Sequence, residues 1–270
     1  MNFDYTKKAK KIRRDILTSV YTAGSGHLGG SLSAVEIMLA LYGEVMRCDP
    51  KNPKWDLRDR FVLSKGHAAP VLYATLADMG FFSQEHLQTL RKPGSILQGH
   101  PDMKKTPGVD FSSGSLGQGL SVGLGMALAL RQKKIDSYVY VLLGDGELNE
   151  GQNWEAAMAA GKYRAARLIG IVDRNRVQLD GTSDEILPLE PLRDKWASFG
   201  WNVIEANGHS VENMTEALKE AQRSLLPCVI IAETVKGKGV SFMEGNFEWH
   251  GGIMSEEEYD LAMREVGSLD

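Results

Sequence analysis

Cysteine is scarce in this chain: Cys48 and Cys228 stand far apart among 270 residues and form no CxxC pair. That excludes a disulfide framework and a thiolate metal site, and a reducing compartment is expected. No stretch of about eighteen apolar residues occurs, so no membrane-spanning helix is expected. The opening "MNFDYTKKAK" has no apolar segment behind its charges, which speaks against secretion and leaves the cytoplasm as the expected location. An excess of one charge is also lacking. The 31 Lys and Arg against 35 Asp and Glu give a net charge of −4, no electrostatic footprint for nucleic acid. The one cationic run, Lys7 to Arg14, reads as the solvated face of an opening helix. No HxxxH or HExxH spacing suggests zinc. Neither "GSLGQGLSVGLG" nor "VKGKGV" satisfies the dinucleotide pattern GxGxxG. Internal repeats and low-complexity linkers are missing too.

What is present is a 43% hydrophobic chain long enough to bury a large core, expected as one domain over residues 1–270. Helical spacing appears over residues 7–23, and Ser33 with Glu36 reads as a capping box opening a helix to Met46. A short strand ends at Ser64, and a helix over 68–79 is stopped by Gly80. A Gly-studded apolar helix follows in "SSGSLGQGLSVGLGMALAL". Strand 138–143, helix 150–162 and strand 168–173 form a βαβ unit. Strands at 202–205 and 229–234 flank a polar helix over 211–223; residues 244–252 read as a loop, and a short helix closes the tail. This alternation predicts an α/β fold with a mostly parallel sheet and helices on both faces.

The two apolar strands of the βαβ unit end in Gly144-Asp145-Gly146 and in Asp173-Arg174-Asn175. Ligands of open parallel sheets bind beyond the carboxyl ends of the strands. If the two strands are neighbours, Asp145 and Asn175 overhang one crevice. With a nearby backbone carbonyl they make a partial all-oxygen shell of the kind octahedral Mg²⁺ completes with phosphate and water. A helix starting near Glu150 would aim its N-terminus at the same anion, and glycine at 144 and 146 would let a phosphate approach the backbone. Five of the six histidines adjoin glycine, and four of them, His27, His67, His100 and His250, read as site residues. Rings held on glycine loops suit contact with phosphate or carbonyl oxygens and proton transfer near neutral pH. His86 reads as a helix-surface residue and His209 as part of a loop before a helix.

Taken together, "AGSGHLGGSLS", "SKGHAAP", "QGHPD", "GSLGQGLSVGLGMALA", "GDGELNEGQNWEA", "DRNRVQLDG" and "KGKG…EWHG" resemble the N-terminal, thiamine diphosphate-binding half of transketolase, from about residue 10 to 255. The resemblance implies the thiamine diphosphate-binding fold, with Mg²⁺ on Asp145, Asn175 and the backbone carbonyl of Val177. It implies diphosphate contacts from Gly146, His67 and His250, and a site lysine at Lys236. Gly114 and Leu116 match the positions that hold the aminopyrimidine. His27 and His100 match histidines facing the substrate, where they and His250 could polarise a carbonyl or move hydroxyl protons. Glu150 matches a glutamate in a network linking paired sites across an interface; its simpler reading is a helix N-terminal acid.

The departure from the family is length. Nothing here resembles the pyrimidine-binding and C-terminal domains. The resemblance therefore implies a separate N-terminal subunit that works with a C-terminal partner, expected as a heterotetramer. The implied reaction moves a two-carbon ketol unit between sugars or sugar phosphates. Two alternatives stay open at this level: the α subunit of a 2-oxo acid dehydrogenase, and a non-catalytic thiamine diphosphate-binding protein.

Overall fold

Alternate residues of each central strand enter different cores, which is why the strands read as unbroken apolar runs rather than as alternating ones. In the computed structural model, which describes residues 4–267, five strands form one sheet: β1 (Arg60–Leu63), β2 (Val139–Gly144), β3 (Leu168–Arg174), β4 (Asn202–Asn207) and β5 (Cys228–Glu233). Every pairing is parallel and the order is β1-β2-β3-β5-β4. The domain expected over 1–270 thus runs three residues past the described part at each end. Tyr140 and Leu142 of β2, with Ile169 and Ile171 of β3, face one core, whereas Val141, Leu143, Leu168 and Val172 face the other.

The first core is covered by α1 (Tyr5–Ala23), α2 (Gly29–Leu32), α3 (Val35–Ala40) and α4 (Ala69–Met79). The second is covered by α5 (Gln118–Gln132) and α6 (Gly151–Tyr163). Beyond β3 come α7 (Ser183–Ile186) and α8 (Leu192–Ser198), the latter burying Leu192 and Trp196 in the second core; α9 (Val211–Arg223) and α10 (Glu256–Val266) return to the first. The α/β fold expected from the sequence is therefore the fold observed. The glycines of α5 have a packing reason: a Cβ on Gly123 would stand 2.5 Å from Val141 Cγ2, so the helix lies directly on β2.

Three readings are corrected. Ser33 caps nothing: its hydroxyl donates to Asp173 Oδ2 at 2.6 Å, and Glu36 is drawn away to Arg13 and His209. The helix expected to Met46 is observed as α3 running directly into a π turn over Leu41–Val45, with the separate short α2 just ahead of it. The cationic run on α1 is a packing face more than a solvated one. Arg13 is buried against Glu36, Lys8 and Lys11 pair with Asp78 of α4, and Arg14 donates to Met263 O and Gly267 O. Residues 244–252 contain a 3-10 turn, Phe247–His250, and α7 and α8 had no expectation at all.

Candidate functional site

Gly144 is level with Asp173 across the β2–β3 pairing, so Asp145 and Asn175 leave adjacent strand ends into one crevice. Asp145 is buried. Its Oδ1 accepts from Gly146 N–H at 2.7 Å, and its Oδ2 accepts from Arg174 Nη1 at 3.1 Å and Arg176 N–H at 2.5 Å. Arg176 has φ 63, a left-handed kink rare outside glycine. That kink folds the chain back so that Asn175 Oδ1 accepts from Val177 N–H at 3.1 Å. Asp145, Asn175 and Val177 thereby share the wall of a cavity of about 170 Å³ at the carboxyl ends of the strands. Gln178 lies across Gly146, where a Cβ would stand 2.9 Å from Gln178 Cγ; that close approach, as well as any phosphate, requires glycine.

Two lysines line the same cavity. Lys65, just beyond β1, is buried, donates to Gly30 O at 2.6 Å and pairs with Asp173. Asp173 also accepts from Ser33, Thr234 and Asn175 Nδ2, tying the ends of β1, β3 and β5 together. Lys236, beyond β5, donates to Gln178 O at 2.9 Å and lies 3.1 Å from His250 Nδ1. Burial, with help from Lys65, lowers its pKa to about 8, against the opposing pull of Asp145 and Asp173.

Three of the four histidines read as site residues stand within ring-contact distance of one another beside the cavity. His67 stacks on His250 at 4.8 Å between centroids, and His27 stands 5.3 Å from His67 and 5.5 Å from His250. His100 lies farther out, 6.3 Å from His27, and is exposed. Burial and then neighbouring cations hold His27 and His250 at about 4, by way of Arg91 for the first and Lys236 for the second. Burial and Lys65 hold His67 well below its ordinary value; burial and Arg91 lower His100. All four rings are therefore neutral at pH 7, each with one donor and one acceptor nitrogen.

These shifts set a pH dependence. Between the ordinary value of 6.5 and the folded value near 4, the unfolded chain binds more protons at His27 and His250 than the folded one does. Stability therefore rises with pH through that window and is lost as pH falls through it. Melting temperatures recorded from pH 7 to 4 are expected to fall, and the double variant His27→Gln with His250→Gln to fall less steeply. Equal slopes would show that these rings do not carry the effect.

Of the residues singled out in the sequence, His67, Leu116, Asp145, Gly146, Asn175, Val177, Lys236 and His250 border the cavity. His27 and His100 stand beside it. Gly114 does not border it but packs against the His100 ring, where a Cβ would sit at 3.4 Å. Glu150 is exposed and outside the cavity. The start of α6 stands off as well: Glu147 folds back to accept from Gly117 N–H at 2.9 Å and Gly144 N–H at 3.0 Å, closing a 3-10 turn before the helix begins. That turn, and not the helix N-terminus, adjoins the cavity. His86 is half-buried in a turn against Phe82; His209 does lie in the loop before α9. Lys65, Asp173, Glu147, Gln178 and Arg91 were not foreseen. Arg91, at φ 61, donates to Ser25 Oγ at 2.8 Å and lies 3.5 Å from His27 Nδ1.

No group of three His, Cys, Asp or Glu side chains able to hold a metal occurs among the described residues. The donors on the Asp145 wall are one carboxylate, one amide oxygen and one peptide carbonyl, hard ligands that suit Mg²⁺ only with phosphate or water completing the shell. Burial, then the nearby Asp173, push the Asp145 carboxyl above its usual range. A bound cation would relieve that imbalance, and the lysines and imidazoles of the same cavity would take phosphate oxygens. The residues fit a diphosphate with its divalent cation.

Residues 5–269 match the family described as transketolase, thiamine diphosphate binding domain. The chain is 46% identical over 260 residues to an apulose-4-phosphate transketolase subunit of Phocaeicola vulgatus, covering 96% of this chain and 92% of that one. It is 47% identical over 264 residues to the 6-deoxy-6-sulfo-D-fructose transketolase subunit SqwG of a Clostridium species, covering 97% and 96%. The crystal structure of transketolase from Campylobacter jejuni superposes with a TM-score of 0.90 at 33% identity, over 98% of this chain but only 43% of that longer chain.

Proposed function

Because the chain belongs to the transketolase family, in the part that binds thiamine diphosphate, we propose that it is the cofactor-anchoring subunit of a two-chain transketolase. The reaction is transfer of a two-carbon ketol unit from a ketose to an aldose. One observation carries the reading: the oxygen donors of Asp145, Asn175 and Val177 line a single cavity together with Lys236, His67 and His250. Identity over almost the whole length of two chains named as transketolase subunits supports the two-chain form and displaces the 2-oxo acid dehydrogenase alternative. Residues 1–270 form one domain in this reading, with a heterotetramer as the assembly.

Thiamine diphosphate, when bound, supplies the ring that stabilises a carbanion during carbon–carbon cleavage. This chain's residues anchor the cofactor and handle the substrate's oxygens. Asp145, Asn175 and the Val177 carbonyl hold Mg²⁺ against the diphosphate. Gly146, His67, Lys236 and His250 take its oxygens, and Gly114 and Leu116 border the aminopyrimidine. Glu150, exposed and off the cavity, is left for the contact between paired sites. The neutral rings of His27, His100 and His250 donate to and accept from substrate oxygens. The two relatives are named for a sugar phosphate and a sulfonated sugar. That supports a sugar with an anionic end as the substrate class. No helix among the described residues is long and apolar enough to cross a membrane. The cytoplasm, where small sugars are to hand, is the location in this reading.

The test is kinetic. In the assembled enzyme, His27→Ala and His100→Ala are each expected to lower turnover by about a hundred- to ten-thousand-fold, the range of general acid–base assistance. Cofactor affinity should change far less, because both rings stand at the substrate end. A variant that loses cofactor binding yet turns over normally when saturated would reassign that residue.

A further inference from the structure

The loop that carries Lys236 into the cavity is gripped from behind at two points. On one side of the lysine, Val235 N–H donates to His209 Nε2 at 2.8 Å. On the other, the Lys238 carbonyl accepts from Arg13 Nε at 2.9 Å. The two grips belong to one connected chain. His209 Nδ1 lies 3.1 Å from Glu36 Oε2, and Glu36 is held by both Arg13 Nη groups at 2.6 and 2.9 Å. Nε2 accepts from a backbone N–H, so the ring's proton sits on Nδ1 and is donated to Glu36. Gly239, at φ 96, lets Arg13 lie along the loop: a Cβ there would stand 3.0 Å from Arg13 Cδ. Arg13 and Glu36 are both buried.

We propose that Arg13, Glu36 and His209 act as a positioning clamp that aims Lys236 into the cofactor cavity, although none of the three borders it. The front of the loop is also anchored, by Gly237 N–H on Gly29 O at 3.0 Å and Gly245 N–H on the Lys236 carbonyl at 2.9 Å. Those contacts fix where the loop sits. The clamp holds the flanking backbone, one residue before Lys236 at Val235 N–H and two residues after it at the Lys238 carbonyl, and so limits how the loop can turn about Lys236. A bidentate guanidinium–carboxylate pair is well suited to this, because its planar fork admits one geometry. The functional consequence rests on reading the cavity as the diphosphate site; the aiming itself does not.

Acetylation of lysines on the intact chain, followed by mass spectrometry, tests the clamp. Lys236 and Lys65 are both fully buried beside the cavity, and Lys65 shares no contact with the clamp, so it serves as the internal control. In His209→Ala, Lys236 is expected to be labelled about ten-fold faster, the scale of one lost hydrogen bond to a buried backbone group, with Lys65 unchanged. His209→Gln, able to accept from Val235 and donate to Glu36, should keep Lys236 protected. Arg13→Lys, which cannot serve Glu36 and the Lys238 carbonyl together, is the second variant and should expose Lys236 by a similar factor. Unchanged labelling of Lys236 in both His209→Ala and Arg13→Lys would overturn the clamp, as would Lys65 and Lys236 rising together. Cofactor titration of Lys236→Met in the assembled enzyme separates the two readings: unchanged affinity would remove Lys236 from the cofactor site while the clamp stands or falls by the labelling.

Discussion

Asp145→Asn is expected to weaken thiamine diphosphate binding in the presence of Mg²⁺ by about a hundred-fold, the upper end of what even a supporting group is worth at a metal site. Asp145 is the one carboxylate on the oxygen wall; the other two donors there, the Asn175 amide and the Val177 carbonyl, are neutral. Removing its charge leaves the cation with no anionic protein ligand. The amide is the better substitution for a physical reason. Asp145 also holds Arg174, whose side chain is buried and whose Nε has no partner. Asp145→Ala would leave that guanidinium with Glu190 alone, and breaking a buried pair costs about 3–5 kcal/mol. In Asp145→Asn the introduced amide oxygen can still accept from Arg174 and from Arg176 N–H. Calorimetric titration with and without Mg²⁺, with circular dichroism as the control on folding, reads the effect. Unchanged affinity in a folded Asp145→Asn would dismiss the metal assignment.

Much of the site was legible because its chemistry sits on strand ends, and strand ends are marked locally. An apolar run that stops at Gly-Asp-Gly, and another that stops at Asp-Arg-Asn, announce where β2 and β3 leave the sheet, and parallel neighbours must release their side chains on the same edge. What the sequence could not give was partnership across a gap. Lys65 follows β1 and Asp173 ends β3, yet they pair over the intervening β2; no spacing encodes that. The same limit explains the failed capping box. Ser33 and Glu36 have a helix-start spacing, but a buried carboxylate from β3 and a guanidinium from α1 each offered a stronger hydrogen bond. The helix start near Glu150 was legible, but the 3-10 turn over Gly146–Asn149 that stands between it and the cavity was not.

The purified chain alone is expected to show no ketol transfer, even with saturating thiamine diphosphate and Mg²⁺, and to gain it when a C-terminal partner subunit is added. Family resemblance assigns cofactor activation to a carboxylate beside the aminopyrimidine, and the buried carboxylates around the cavity are already hydrogen-bonded. Asp145 is bound by Gly146, Arg174 and Arg176; Asp173 by Lys65, Ser33 and Thr234; Glu147 by Ser64, Gly117 and Gly144. None is free to exchange a proton with a bound ring. The surroundings point the same way. Leu179 at the cavity is 60% exposed, Phe247 in the His250 turn 43%, and Ile253 just beyond it 69%. A second subunit seated there would cover these side chains and bring the missing carboxylate. Hydrogen–deuterium exchange at the thiazolium carbon and a ketose–aldose transfer assay, each with and without the partner, decide the matter. Robust transfer by this chain alone would overturn the two-chain reading, whereas cofactor binding without transfer in the complete assembly would favour a non-catalytic thiamine diphosphate-binding protein.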